Sequence, residues 1–161
     1  MLLRPFQPSD AAAVNRVALA AFEQYRNVYD DWEALSRGVG ATDALAAQSE
    51  LIVAEDHAGE IRGAVAYFGP YAQPRADFFA PEWPIVRMLV VDPAARGQGL
   101  GRRLTEECIA RARRDGAGVI ALHTSPAMAV ALAMYLGMGF RLDRAVPDRF
   151  GVPYGLYLKT L

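Results

Sequence analysis

The sequence of 161 residues is poor in cysteine, in lysine and in net charge. Its one cysteine, Cys108, cannot form an internal disulfide or a zinc site built from several cysteines. Seventeen basic residues against eighteen acidic ones leave a net charge of −1, whereas nucleic-acid-binding proteins usually carry a basic excess. We therefore expect no disulfide framework, no metal and no nucleic acid. The near absence of lysine favours a GC-rich, bacterial genome as the source.

The sequence also lacks an unbroken hydrophobic segment of membrane-spanning length. The apolar start, Met1 to Leu3, is too short for a signal peptide. Residues 116–140 carry no charged side chain other than His123 when it is protonated, and their number matches a bilayer span. A His-Thr-Ser-Pro segment and two glycines interrupt them, however, so a buried strand followed by a buried helix is the better interpretation. We expect no membrane association.

The residues that are present fit one globular domain covering residues 1–161. Hydrophobic residues make up 53% and charged residues 22% of the chain, as in ordinary globular domains. The length falls within the usual range of a single domain. At this size folding removes roughly two-thirds of the surface from water, which is enough for one sizeable core.

Hydrophobic spacing predicts that strands and helices alternate along the chain. Apolar residues recur at helical spacing after a cap at Ser9 or Asp10. Later, Ser125 is predicted to cap a helix whose first residue is Pro126 and which ends near Gly137. Further helical segments are expected within residues 31–50 and from about 100 to 114. The predicted strands are 2–6, 51–55, 61–68, 86–91, 119–124, 140–142 and 154–158, with a proline-rich loop at 69–84.

A glycine-rich turn between the strand at 86–91 and the next helix is the most informative segment. Glycine lets the backbone approach a ligand closely, and the free N–H groups at a helix N-terminus attract anions. The turn therefore predicts a site for a phosphate or pyrophosphate. It comprises three alternating glycines and three nearby arginines: Gly97, Gly99 and Gly101 with Arg96, Arg102 and Arg103.

Two common phosphate-binding patterns do not fit this turn. A P-loop ends in Gly-Lys-Ser/Thr, but Gly101 is followed by two arginines. The dinucleotide pattern G-x-G-x-x-G would need glycine at position 102 or 104, where Arg102 and Leu104 stand.

The segment instead resembles the central motif of the GCN5-related N-acetyltransferase (GNAT) superfamily, Arg/Gln-x-x-Gly-x-Gly/Ala. Residues 96–101, Arg-Gly-Gln-Gly-Leu-Gly, fit it in full, and Leu89-x-Val91-x-Pro93 fits the strand pattern before it. The resemblance implies an α/β (α+β) fold with a mixed, mostly antiparallel sheet flanked by helices and a splayed central strand pair.

A second motif extends the resemblance to residue 140. The family's next helix commonly ends like Ala-x-x-Leu-Tyr-Glu-Lys-Leu-Gly-Phe, and four positions match: Ala131, Tyr135, Gly139 and Phe140. The resemblance implies an N-acetyltransferase that moves an acetyl group from acetyl-CoA to an amine by direct transfer. The residues implied to bind this cosubstrate are Leu89, Val91, Arg96, Gly97, Gln98, Gly99, Gly101 and Arg102.

The resemblance also implies catalytic roles, although the sequence departs from the family in places. The backbone N–H near Leu89 would stabilise the oxyanion, and Tyr135 would donate a hydrogen bond to the departing sulfur. The glutamate that often acts as base is replaced by Ile85, so Glu82 and His123 both stay candidates for that role. An asparagine frequent before the tyrosine is Met128 here, and the Glu-Lys pair after it is Leu136-Gly137.

The acceptor is left open by the sequence. Aromatic residues between 25 and 32 and between 71 and 83 would suit a pocket, although packing beneath a long loop explains most of them. A small-molecule amine or a peptide amine would serve, and the resemblance is compatible with a cytoplasmic homodimer. The alternatives are a non-catalytic acyl-CoA sensor of the same fold and a tRNA-acetylating toxin, which the net charge of −1 disfavours.

Overall fold

The computed structural model describes residues 1–161 and contains seven strands and four α-helices in mixed order. Short 3-10 turns occupy several of the connections. The elements are β1 (Leu2–Pro5), α1 (Ala11–Phe22), α2 (Trp32–Val39), β2 (Glu50–Glu55), β3 (Ile61–Phe68), β4 (Ile85–Val91), α3 (Leu100–Arg114), β5 (Val119–Thr124), α4 (Ala129–Gly137), β6 (Arg141–Arg149) and β7 (Val152–Thr160).

All seven strands form one sheet in the order β1-β2-β3-β4-β5-β7-β6. Neighbouring strands are antiparallel except for β4 and β5, which are parallel. Helices cover both faces, because α1 and α2 pack against one face of the sheet and α3 and α4 against the other. This arrangement confirms the predicted mixed, mostly antiparallel sheet flanked by helices. We call the two faces the α1 face and the α3 face.

The centre of the sheet is open between β4 and β5. Only Ile85 and Ala121 are paired across these strands, whereas β5 and β7 pair over six residues. Since the two strands are not paired beyond Ile85, a gap lies between their carboxyl-terminal halves. This gap is the predicted splayed pair.

A β-bulge in β4 lies beside the gap. Against β3, Arg87 is opposite Ala66 and Val90 is opposite Ala64, so β4 has one more residue than its partner here. Within the bulge, Met88 has a φ of +51°, a left-handed conformation that is uncommon for a residue other than glycine. A bulge leaves its extra residue outside the hydrogen-bond ladder and redirects the strand.

The apolar stripes of the helices explain the two cores. On α1, Val14, Val17, Ala18 and Ala21 are buried at the predicted helical spacing. On α3, three buried residues four positions apart face the opposite side of the sheet: Leu100, Leu104 and Cys108. None of the helices is both long and apolar enough to cross a membrane.

Two predicted boundaries are wrong. The fourth helix begins at Ala129 and not at Ser125, because the chain first makes a turn. In that turn the Ser125 Oγ accepts a bond from the Ala127 N–H at 3.1 Å, and the Ser125 carbonyl accepts one from the Met128 N–H at 2.9 Å. The last two strands are also much longer than predicted, since β6 is an exposed, charged edge strand without the apolar alternation that marks a strand in sequence.

Candidate active site

The glycine-rich turn brings an unpaired helix N-terminus to the edge of the central gap. Gly97 and Gly99 have φ angles of +77° and +74°, which side-chain-bearing residues rarely adopt. The first backbone bond of α3 runs from the Arg103 N–H to the Gly99 carbonyl at 3.1 Å. The N–H groups that precede Arg103 on α3 therefore have no helical acceptor and are free to bind an anion.

Gly101 connects this helix end to β4 and α4. A Cβ at this position would lie 3.5 Å from the Met134 Sδ, 3.8 Å from the Leu89 Cδ2 and 3.8 Å from the Val91 Cγ2. The predicted cosubstrate residues Leu89, Val91 and Gly101 are therefore close together on the α3 face. The missing side chain of Gly101 leaves space among them.

The predicted polar residues of the turn have different surroundings. Arg96 donates from Nη2 to the Ala21 carbonyl at 3.1 Å, which ties the turn to the end of α1. Arg102 forms an exposed ion pair with Glu106, with 3.1 Å between Nε and Oε1. Gln98 is exposed. The part of the turn that lies at the helix N-terminus is therefore mainly its backbone and not these three side chains.

Tyr135 lies in α4, in the same apolar core as the turn. Its side chain is buried, and its ring packs edge-on against Phe140 with 5.7 Å between the centroids. Burial, with smaller contributions from Cys108 and Tyr25, raises the pKa of the Tyr135 hydroxyl. The hydroxyl therefore stays protonated at neutral pH and can act as a hydrogen-bond donor.

His123 lies in β5 on the other side of the sheet, where it lines a cavity of about 270 Å³. The rings of Phe78, Phe79 and Tyr154 surround it at centroid distances of 5.6, 5.7 and 5.2 Å. Its Nδ1 is buried and has no hydrogen-bond partner. Burial, together with Arg149 and Arg87, lowers the pKa of His123 to about 4, so the imidazole is neutral at physiological pH.

Glu82, the other predicted base, is not part of this cavity. It is exposed on the loop before β4, and it is absent from the cavity lining. Of the two base candidates, only His123 lines the cavity.

The neutral state of His123 predicts a stability that depends on pH. The folded-state pKa of about 4 lies below the usual 6.5, so the unfolded chain takes up the proton first as the pH falls. Stability is fully present above pH 6.5 and is lost as the pH falls to about 4. The loss amounts to about 3 kcal/mol in the free energy of unfolding.

Urea unfolding of the wild type and His123→Gln between pH 7.5 and 4.5 measures this loss. The stability advantage of the wild type should shrink over that range, because the variant has no group to protonate. His57→Gln, in the exposed turn between β2 and β3, is the matched control. A constant difference between wild type and His123→Gln would contradict the prediction.

Three arginines at this cavity were missed by sequence reasoning. Arg87 and Arg149 line it, and Arg75 organises the loop around it by donating to four backbone carbonyls at 2.7–3.0 Å. A signal for Arg87 was available, because it is the only charged residue in an otherwise apolar central strand. Arg149 comes from the part of β6 that was not predicted as strand.

Comparison with known proteins agrees with this arrangement. The sequence model of the acetyltransferase (GNAT) family matches residues 12–140. A search of curated proteins finds no significant match. Among solved structures, a ribosomal-protein-alanine N-acetyltransferase from Brucella melitensis is 23% identical with a TM-score of 0.71, and 100% of each chain is covered.

Two further solved structures have the same fold. A GNAT-family acetyltransferase from Staphylococcus aureus is 17% identical with a TM-score of 0.76, covering 99% of this chain and 98% of its own. The yncA protein from Salmonella typhimurium, solved with its cofactor acetyl-CoA, is 22% identical with a TM-score of 0.70, covering 100% and 94%. The family match over most of the chain and the shared fold lead to one conclusion: this chain belongs to the GNAT acetyltransferase family.

Proposed function

We propose that the protein is an acetyl-CoA-dependent N-acetyltransferase that transfers the acetyl group directly to an amine. The observation that carries the proposal is the gap between β4 and β5, which has the free helix N-terminus after the glycine turn and the bulge of β4 beside it. Tyr135 packs in the same core as these elements. The relative solved with acetyl-CoA supports the choice of cosubstrate.

The residues of the turn fit the pyrophosphate of acetyl-CoA. The free N–H groups at the start of α3 would hold its oxygens, since a helix N-terminus favours negative charge. Gly97, Gly99 and Gly101 keep side chains away, and Gln98, Arg96 and Arg102 border the turn. The backbone of Leu89 and Val91 would hold the pantetheine arm along β4. No metal takes part in this proposal.

The chemistry needs a donor for the oxyanion and a donor for the leaving sulfur. The amine nitrogen attacks the thioester carbonyl, and the Leu89 N–H at the bulge would stabilise the oxyanion that forms. The carbon–sulfur bond then breaks, and the Tyr135 hydroxyl donates a hydrogen bond to the thiolate. The products are an N-acetylated amine and free coenzyme A.

The proton of the amine goes to solvent in this proposal. A side chain with a pKa of about 4, such as His123, is too weak a base to take it from an alkylammonium group. Glu82 is exposed and stands outside the cavity. The acceptor therefore reacts as the free amine, and activity should rise with pH as the amine loses its proton.

A calorimetric titration with acetyl-CoA, followed by a thiol-release assay with an amine panel, tests the function. Cys108 does not interfere with thiol detection, because it is buried and its pKa is raised to about 12. We expect saturable binding and amine-dependent release of coenzyme A. Binding without release by any amine would favour the sensor alternative, and no binding by the folded protein would contradict both.

The location and assembly of the protein follow from the resemblance alone. We propose a cytoplasmic protein, since acetyl-CoA is available there, and a homodimer as the assembly. Size-exclusion chromatography with light scattering measures the assembly directly. A filter-binding assay with tRNA at two salt concentrations tests the toxin alternative, which predicts tight, salt-sensitive binding.

A further inference from the structure

The cavity on the α1 face contains positive charge without a matching negative charge. Arg75, Arg87 and Arg149 line it, and no aspartate or glutamate does. Arg75 uses its guanidinium to bond backbone carbonyls. Arg87 and Arg149 instead lie over aromatic rings. The guanidinium carbon of Arg87 is 5.0 Å from the ring centroid of Phe68, and that of Arg149 is 5.8 Å from the ring centroid of Tyr154.

Neither of these two arginines has an acidic partner. Arg4 and Arg62, which are also partly withdrawn from solvent, are neutralised by Asp10 and Asp92. Arg87 is half-buried and close enough to Arg149 for the two positive charges to repel each other. Withdrawing the unpaired charge of Arg87 from water is costly, and an anion bound beside it would offset that cost.

The cavity lies beside the reacting centre. Side chains two positions apart on a strand lie on the same face of the sheet. Ile85 and Ala121 are paired across β4 and β5. Arg87 and His123 come two positions after them and therefore lie on the same face as they do. Arg87 also directly precedes the bulge at Met88. An amine held by Arg87 would thus approach the bulge from the α1 face, opposite to the face that carries the glycine turn.

We propose that the acceptor is an amine that also carries an anionic group, and that Arg87 and Arg149 hold this group in the cavity. The inference rests on the proposed function and specifies its substrate class. Guanidinium groups fit carboxylates and phosphate-like anions, and an amino acid carries a carboxylate beside its amine. The aromatic walls would contact the carbon skeleton, and a polar group of the ligand would satisfy the buried Nδ1 of His123.

Matched pairs of amines test the proposal. Each of the common amino acids is offered beside its carboxamide, together with aminomethylphosphonate and methylamine, and kcat/KM is measured from thiol release. The assay compares the wild type, Arg87→Gln, Arg149→Gln and the control Arg113→Gln. Arg113 is an exposed arginine on α3 without an ion pair. Its replacement changes the net charge by the same amount as the replacement of Arg87 or Arg149.

We expect at least one acid to exceed its amide by about tenfold or more in the wild type, because charge-assisted hydrogen bonds are lost in the amide. Arg87→Gln and Arg149→Gln should remove most of this preference, whereas Arg113→Gln should keep it. A preference for aminomethylphosphonate over every amino acid would support the anion site and identify its ligand as a phosphonate. Equal use of acids and amides, or a preference that survives in both cavity variants, would overturn the proposal.

A binding arm separates this proposal from the proposed function. N-acetyl amino acids carry the anion but cannot accept an acetyl group, and their binding is followed through the imidazole NMR signals of His123. Binding that is lost in Arg87→Gln supports the anion site even if no amine is acetylated. Acetylation of uncharged amines without any anion binding would refute the anion site and leave the transferase intact.

Discussion

Replacing Gly101 by glutamate is expected to abolish acetyl-CoA binding. The new side chain would enter the space bordered by Leu89, Val91 and Met134, and it would bring a negative charge to the end of α3 that is proposed to hold a pyrophosphate. Loss of two charge-assisted hydrogen bonds alone corresponds to about 3 kcal/mol, which is roughly 100-fold in affinity. Calorimetric titration of acetyl-CoA measures the effect.

Two controls keep this result interpretable. Gly38→Glu adds the same charge at an exposed position of α2, where a Cβ would meet nothing within 4 Å, and it should bind like the wild type. Gly101→Ala adds only a methyl group at ordinary contact distances, so it should fold and bind with a moderate loss. Undiminished affinity in a folded Gly101→Glu protein would contradict the assignment of the turn.

Tyr135→Phe is expected to lower kcat by about 100-fold while the KM for acetyl-CoA changes little. A hydrogen-bond donor aimed at developing negative charge typically contributes a factor of about 100 or more, and phenylalanine preserves the packing against Phe140. Because burial raises the pKa of Tyr135, its ionisation should not appear in the pH profile near neutrality. Steady-state kinetics at several pH values measures both effects.

The matched control is Tyr157→Phe on β7. Tyr157 is as buried as Tyr135 and lies in the same core. Its replacement by phenylalanine also removes one tyrosine hydroxyl from that core. It should retain kcat, because no role in the reaction is assigned to it. Equal activities of the two variants would show that Tyr135 only packs.

Much of the fold could be predicted because its apolar patterns are strong. Buried strands such as β3 and β5 appear as continuous apolar segments, and the glycines at 97 and 99 take up the left-handed conformations that the turn needs. Edge strand β6 could not be delimited, since its side chains face water and carry no period of two. The helix after β5 was misplaced because Ser125 favours a cap and a turn equally well.

The candidate site was predictable only where it depends on local sequence. The turn at 96–101 is contiguous, so its motif is readable without the fold. The cavity on the α1 face is assembled from β4, β5, β6 and the loop at 69–84, which are distant in sequence. Arg87 and Arg149 come to line one cavity only when β4 and β6 take their places in the sheet, and no spacing rule connects them.

The scaffold of the loop at 69–84 has an evolutionary consequence. One guanidinium, that of Arg75, gathers the carbonyls of Gly69, Ala72, Ala80 and Trp83, so this loop holds its shape without secondary structure. The glycine turn lies on the opposite face and shares no residue with it. If the cavity takes the acceptor as proposed, exchange of this whole loop changes which amine is accepted and leaves the residues proposed for the acetyl donor unaltered.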